Sequence, residues 1–74
     1  MNKIPSVKPK KLLKILLKYD FYIHHQKGSH VILKHKIKSK LRVTIPLHNK
    51  DLKVKTLLSI LKQTDLDESV FIRN

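Results

Sequence analysis

Seventy-four residues without a cysteine fit one small domain, residues 1–74, and exclude a disulfide framework, a thiol nucleophile and thiolate metal sites. Seventeen Lys and Arg stand against five Asp and Glu, a formal net charge of +12, which points to a polyanionic partner, nucleic acid foremost. No stretch approaches the roughly 20 apolar residues of a membrane span, and the first residues lack the apolar run of a signal peptide, so a cytoplasmic protein without a membrane partner is expected. Fifteen of the cations are Lys, and a coding bias toward lysine accounts for part of that number. Such a bias does not account for the scarcity of acids.

Residues 1–8 read as a loose lead-in, bracketed by Pro5 and Pro9. Pro9 suits the first position of a helix, where its missing N–H costs nothing. Residues 10–19 then place Leu12, Leu13, Leu16 and Leu17, with Ile15, in a wide apolar stripe at helical spacing. Lys8, Lys10 and Lys11 crowd the first turn with the wrong sign for the helix dipole. That is a solvated lysine cluster in the plain reading and a phosphate contact in the functional one. Asp20 ends the helix.

Three segments of period-two alternation follow, the pattern of an antiparallel sheet with one buried face. Phe21 and Ile23 share the core parity, opposite Tyr22, His24 and Gln26. Val31 and Leu33 face the core while His30, Ile32 and Lys34 face away, and Leu41, Val43 and Ile45 oppose Arg42 and Thr44. Lys27-Gly28-Ser29 is short enough for a hairpin turn and holds the chain's one glycine. Residues 36–40 form a longer, mobile, cationic loop, and Pro46 stops the third strand because it cannot donate to a ladder.

A second helix is expected over residues 53–64, with Val54, Leu57, Leu58 and Leu61 facing the core and Ile60 at the margin. Asp67 is placed to cap a last short turn that adds Val70 and Phe71. The fold class is α+β, in the order α-β-β-β-α with a short terminal α, and both helices cover one sheet face because each has a single apolar stripe.

His30 lies at the start of a strand and points away from the core with His24, Lys34 and Arg42. A histidine exposed among cations favours neutral imidazole near pH 7, which accepts a proton as a general base and returns it as a general acid. Lys and Arg nearby hold a phosphodiester and stabilise the charge that develops on it. His24 is a candidate partner across the hairpin, and His48 sits in the loop after Pro46. His25 and His35 share the core parity and are expected to pack at its ends. No pair of histidines has metal-ligand spacing, and Asp20, Asp51, Asp65, Asp67 and Glu68 read as caps and surface acids, so neither a metal nor another cofactor is expected. A histidine at a strand start is, taken alone, an ordinary surface residue.

Longer segments carry a family resemblance. Residues 10–16, Lys-Lys-Leu-Leu-Lys-Ile-Leu, then Phe21, then Gln26-Lys27-Gly28-Ser29-His30, resemble the HicA toxin family of mRNA interferases. Residues 42–52, with Pro46-Leu47-His48 at their centre, and the later Thr56-Leu57 with Ile60-Leu61-Lys62-Gln63 continue the match over roughly residues 8–72. The resemblance implies a fold similar to a double-stranded-RNA-binding domain and a toxin that cleaves mRNA through His30. It also implies a HicB antitoxin that covers the site. Lys27, Gly28, Ser29, Lys34, Arg42, Lys10 and Lys11 would then contact RNA, with His24 and His48 as auxiliaries. Two positions depart from the family: Lys55 stands where Gly is frequent, and His25 where Arg is frequent. The alternative is a non-catalytic RNA-binding module of the same fold, reading duplex shape with Lys8, Lys10, Lys11 and the lysines of residues 50–55.

Overall fold

The structure is a computed structural model that describes residues 7–48, 50–67, 69 and 70. Its elements run α1 (Pro9–Lys18), β1 (Phe21–Lys27), β2 (His30–His35), β3 (Arg42–Pro46) and α2 (Val54–Thr64). The three strands form one antiparallel sheet in the order β1-β2-β3.

Pro9 opens α1 as the sequence requires, and Pro9, Leu12, Ile15 and Leu16 turn one stripe of the helix inward. The helix stops where the Tyr19 N–H bonds the Leu16 carbonyl and Asp20 takes a left-handed φ of 69°. Leu17 is left exposed rather than joining the stripe. In α2 the buried stripe is Leu57, Ile60, Leu61 and Thr64, so the helix is rotated from the expected face, with Ile60 fully inside and Val54 and Leu58 exposed. Thr64 is tolerated inside because its hydroxyl donates to the Leu61 carbonyl at 2.7 Å and accepts from the Leu66 N–H at 3.1 Å.

Both stripes meet Phe21, Val31, Leu33, Val43 and Ile45 in one core, with α2 against β3 and α1 against β1 and β3. The helices therefore share a sheet face, and among the described residues the opposite face carries none. Ile23 departs from the expected core set and is exposed on edge strand β1. Ile32 departs in the other direction, buried although its parity places it on the helix-free face. Val7, expected in the loose lead-in, is buried and pairs with Leu52 in an isolated antiparallel bridge. That bridge brings the start of α1 beside the start of α2.

The β2–β3 loop is held by its backbone. The His35 imidazole Nδ1 accepts the N–H groups of Ile37 and Lys38 at 3.1 and 2.9 Å, and the Lys36 N–H reaches the Asp20 carbonyl at 2.8 Å. Past α2, the Ser69 N–H bonds Asp67 Oδ1 at 2.9 Å and Val70 enters the core, as the capping pattern requires. Phe71 lies outside the described residues.

Candidate nucleic-acid interface and active site

The face without helices is a grid set by strand register. Tyr22, Lys34 and Arg42 form one cross-strand row, His25, Ile32 and Thr44 the next, and Lys27, His30 and Pro46 the last. No register position on this face holds a carboxylate. Lys34 and Arg42 lie directly opposite one another, an arrangement of like charges that costs stability in the sheet and suits a polyanion.

At one end of the grid, Gly28 and Ser29 form a two-residue loop between the paired Lys27 and His30. Gly28 has φ +58°, and Ser29 is not among the residues at positive φ, the signature of a type II′ turn with glycine first. A Cβ added to Gly28 would meet nothing within 4 Å, so the demand on this position is conformational rather than spatial. The Leu47 N–H donates to the Ser29 carbonyl at 2.6 Å. That bond joins the Gly28-Ser29-His30 turn to the Pro46-Leu47-His48 segment. His48 therefore follows directly on the segment tied to the turn, and both it and His30 are exposed.

The middle row holds what alternation does not show. Register steps from Ile23↔Leu33 to His25↔Ile32, so His24 is the extra residue of a β-bulge. After the bulge the parity of β1 is inverted. His25 pairs with an outward residue and joins the helix-free face, while Gln26 moves to the other side and its amide nitrogen donates to the Gly28 carbonyl at 3.1 Å. His25 at the end of the core was the expectation, and the bulge overturns it. The Nδ1 atoms of His24 and His25 lie 2.7 Å apart, with the rings edge to face at 4.9 Å between centroids. The pKa of His24 is lowered from 6.5, first by desolvation from crowding atoms although the ring is exposed, then by Lys34, His25 and Arg42. His24 is thus grouped with His25 and the cationic row. His35 does pack at the core's end, its ring edge to face with Phe21 at 4.9 Å.

The expected contact residues therefore divide. Lys27, Gly28, Ser29, His30, Lys34, Arg42 and His24 share one face or its edge. Lys10 and Lys11 do not join them. They lie on α1, across the sheet, where with Lys8, Lys14, Ile15 and Lys18 they line a shallow groove. Another hollow opens at the end of α2 between Leu58, Leu61 and Leu66 and holds no histidine. Among the described residues no three His, Asp or Glu side chains are placed to hold a metal ion, and no helix is long and apolar enough to cross a membrane.

A family model described as "HicA toxin of bacterial toxin-antitoxin" matches residues 9–66. The chain matches no curated protein.

Proposed function

The chain belongs to the HicA toxin family of bacterial toxin–antitoxin pairs, and from that premise we propose that it is an endoribonuclease that cleaves mRNA and arrests growth. Family membership implies an antitoxin partner. The observation that carries the catalytic reading is the grid itself: an exposed histidine fixed at the end of a strand by a two-residue turn, on a face whose described register positions hold cations and no carboxylate. His30 is the general acid/base for attack of the ribose 2′-OH on phosphorus. Lys27, Lys34 and Arg42 hold the phosphates and offset the charge that develops on them. Gly28 and Ser29 shape the turn that presents His30, and Lys10 and Lys11 take backbone further along a longer strand. His48 is an auxiliary contact at the same end. The antitoxin, which we take to be of the HicB kind, covers this face with an acidic or apolar surface of its own, and opposite charge speeds its capture. The cytoplasm is where such a protein meets both mRNA and antitoxin.

One observation favours a second reading. The Val7–Leu52 bridge brings Lys8 and Lys53, the N-cap residues of α1 and α2, to neighbouring positions across the sheet from the grid. Neither cap side chain hydrogen-bonds its helix, and neither first turn holds an acid. A duplex RNA-binding module would use this side of the molecule.

One experiment separates the readings. Purified protein is incubated with single-stranded and duplex RNA in EDTA, and the product ends are analysed. The catalytic reading expects single-stranded RNA to be cut to 2′,3′-cyclic phosphate and 5′-hydroxyl ends at an undiminished rate. Tight duplex binding with a steep salt dependence and no cleavage would replace it with the second reading.

A further inference from the structure

Transesterification of RNA needs two proton transfers, one from the attacking 2′-OH and one to the departing 5′-oxygen, and a single imidazole cannot make both at once. We propose that His25 is the second catalytic residue, the general acid for the 5′-oxygen, and that His24 is the positioning residue that orients it. This rests on the endoribonuclease reading above and assigns the half of the reaction that His30 leaves open.

The bulge creates the arrangement. Without the extra residue, the register Ile23↔Leu33 would continue to His24↔Ile32 and carry His25 to the helix side. With it, His25↔Ile32 and Lys27↔His30 are successive outward pairs, which makes His25 and His30 diagonal neighbours on the open face. Diagonal positions lie roughly 7–8 Å apart, within reach of long and aromatic side chains. One phosphodiester with an imidazole on either side fills such a gap. The next outward row supplies Lys34 and Arg42, the row of His30 supplies Lys27, and Thr44 lies across Ile32 from His25. None of these brings a negative charge.

The His24–His25 contact fixes which nitrogen faces the substrate. A bond between two Nδ1 atoms requires one to carry a hydrogen and the other to accept it. When His25 carries the proton it is to donate, both of its ring nitrogens bear hydrogen, so its Nδ1 is the donor and His24, kept neutral by crowding and by Lys34, His25 and Arg42, is the acceptor. His25 then donates from Nδ1 and presents Nε2 outward. It gains and loses its catalytic proton at Nε2 without breaking the orienting bond, as other catalytic histidines do when a partner holds their second nitrogen.

The step balances. As the 2′-oxygen bonds to phosphorus, its proton passes to the neutral imidazole of His30. The phosphorus–5′-oxygen bond breaks, and the proton on His25 Nε2 passes to the leaving oxygen. The products are a 2′,3′-cyclic phosphate and a 5′-hydroxyl, and proton exchange with water resets the pair.

The test compares an RNA oligonucleotide with uridine 3′-(p-nitrophenyl phosphate), whose leaving group departs without protonation. For His25→Ala, kcat on RNA is expected to fall about 100-fold or more with KM little changed, while the aryl ester is cleaved within about three-fold of wild type. His24→Ala lowers kcat on RNA about ten-fold, and His24→Gln, whose amide oxygen still accepts, restores it. Wild-type cleavage of RNA by His25→Ala, or equal losses on both substrates, overturns His25 as the acid; equal losses for His24→Ala and His24→Gln overturn the positioning role. If the wild-type protein cleaves neither substrate, the endoribonuclease reading fails and this proposal fails with it.

Discussion

The two faces of the sheet are built from the same three strands and obey different rules. On the helix side, Phe21, Val31, Leu33, Val43 and Ile45 are each no more than 1% exposed, so residue type there is dictated by packing. On the open side, Tyr22, His24, His25, Lys27, His30 and Arg42 are exposed, and packing dictates almost nothing. Seven of those outward positions, counting Lys34, nonetheless hold ring or cationic side chains and none holds an acid. A largely exposed face that pairs Lys34 against Arg42 is consistent with the polyanion contact proposed above. Where structure is indifferent, the residues report chemistry.

The contrast can be broken from the inside first. Leu33→Ala removes a fully buried side chain at the centre of the sheet and should cost about 2–5 kcal/mol, enough to unfold much of a small domain. Urea denaturation measures it, and a loss under about 1 kcal/mol would mean that the helix side is not the packed core described here.

Gly28→Ala tests the edge between the faces. Space is open around the position, yet alanine must adopt φ near +58°, so a loss of about 1–2 kcal/mol is expected from backbone conformation alone. Unchanged stability would contradict the turn role. If cleavage were lost as well, the glycine would also be admitting phosphate to its backbone.

The smallest effect concerns pH. His24 holds its proton less tightly in the folded protein than in the unfolded chain. The unfolded state therefore binds more protons below 6.5, and stability falls as pH drops through 6.5 toward the lowered value, with no dependence above it. Thermal midpoints of wild type and His24→Gln from about pH 8 to about pH 5 should run parallel at the upper end and converge or cross as pH falls. Parallel curves throughout would show that the depressed pKa has no weight in folding, and because the ring is exposed the expected difference is slight.

Much of this was legible in the residues, for physical reasons that differ by element. Pro9 and Asp20 bound α1 because one presets φ and the other accepts a left-handed turn, and Pro46 ends β3 because it lacks an N–H. β3 followed its alternation, β2 did so except that Ile32 is buried, and the lone glycine marked the two-residue turn between β1 and β2. The face of α2 was not legible, since Val54, Leu57, Leu58, Ile60 and Leu61 spread over an arc of roughly 160° at 3.6 residues per turn, and only docking on β3 selects Leu57, Ile60, Leu61 and Thr64 over Val54 and Leu58. Val7 carried no signal, because its partner Leu52 lies 45 residues away, from 52 − 7. The bulge at His24 was hidden most completely. A bulge is a property of pairing between strands, and no residue type in Phe21–Lys27 announces it. For that reason alternation alone puts His30, Lys34 and Arg42 on the face where the register has them, while it puts His25 on the wrong one.

In our proposal the open face is catalytic through His30 and structurally dispensable there. The direct measurement takes wild type and His30→Ala, records the thermal midpoint of each, and follows cleavage of single-stranded RNA in EDTA by the same samples. Midpoints within about 2 °C of one another are expected, since His30 is exposed and lies outside the core, together with a fall in cleavage of at least about 100-fold. Cleavage by His30→Ala at the wild-type rate would contradict it.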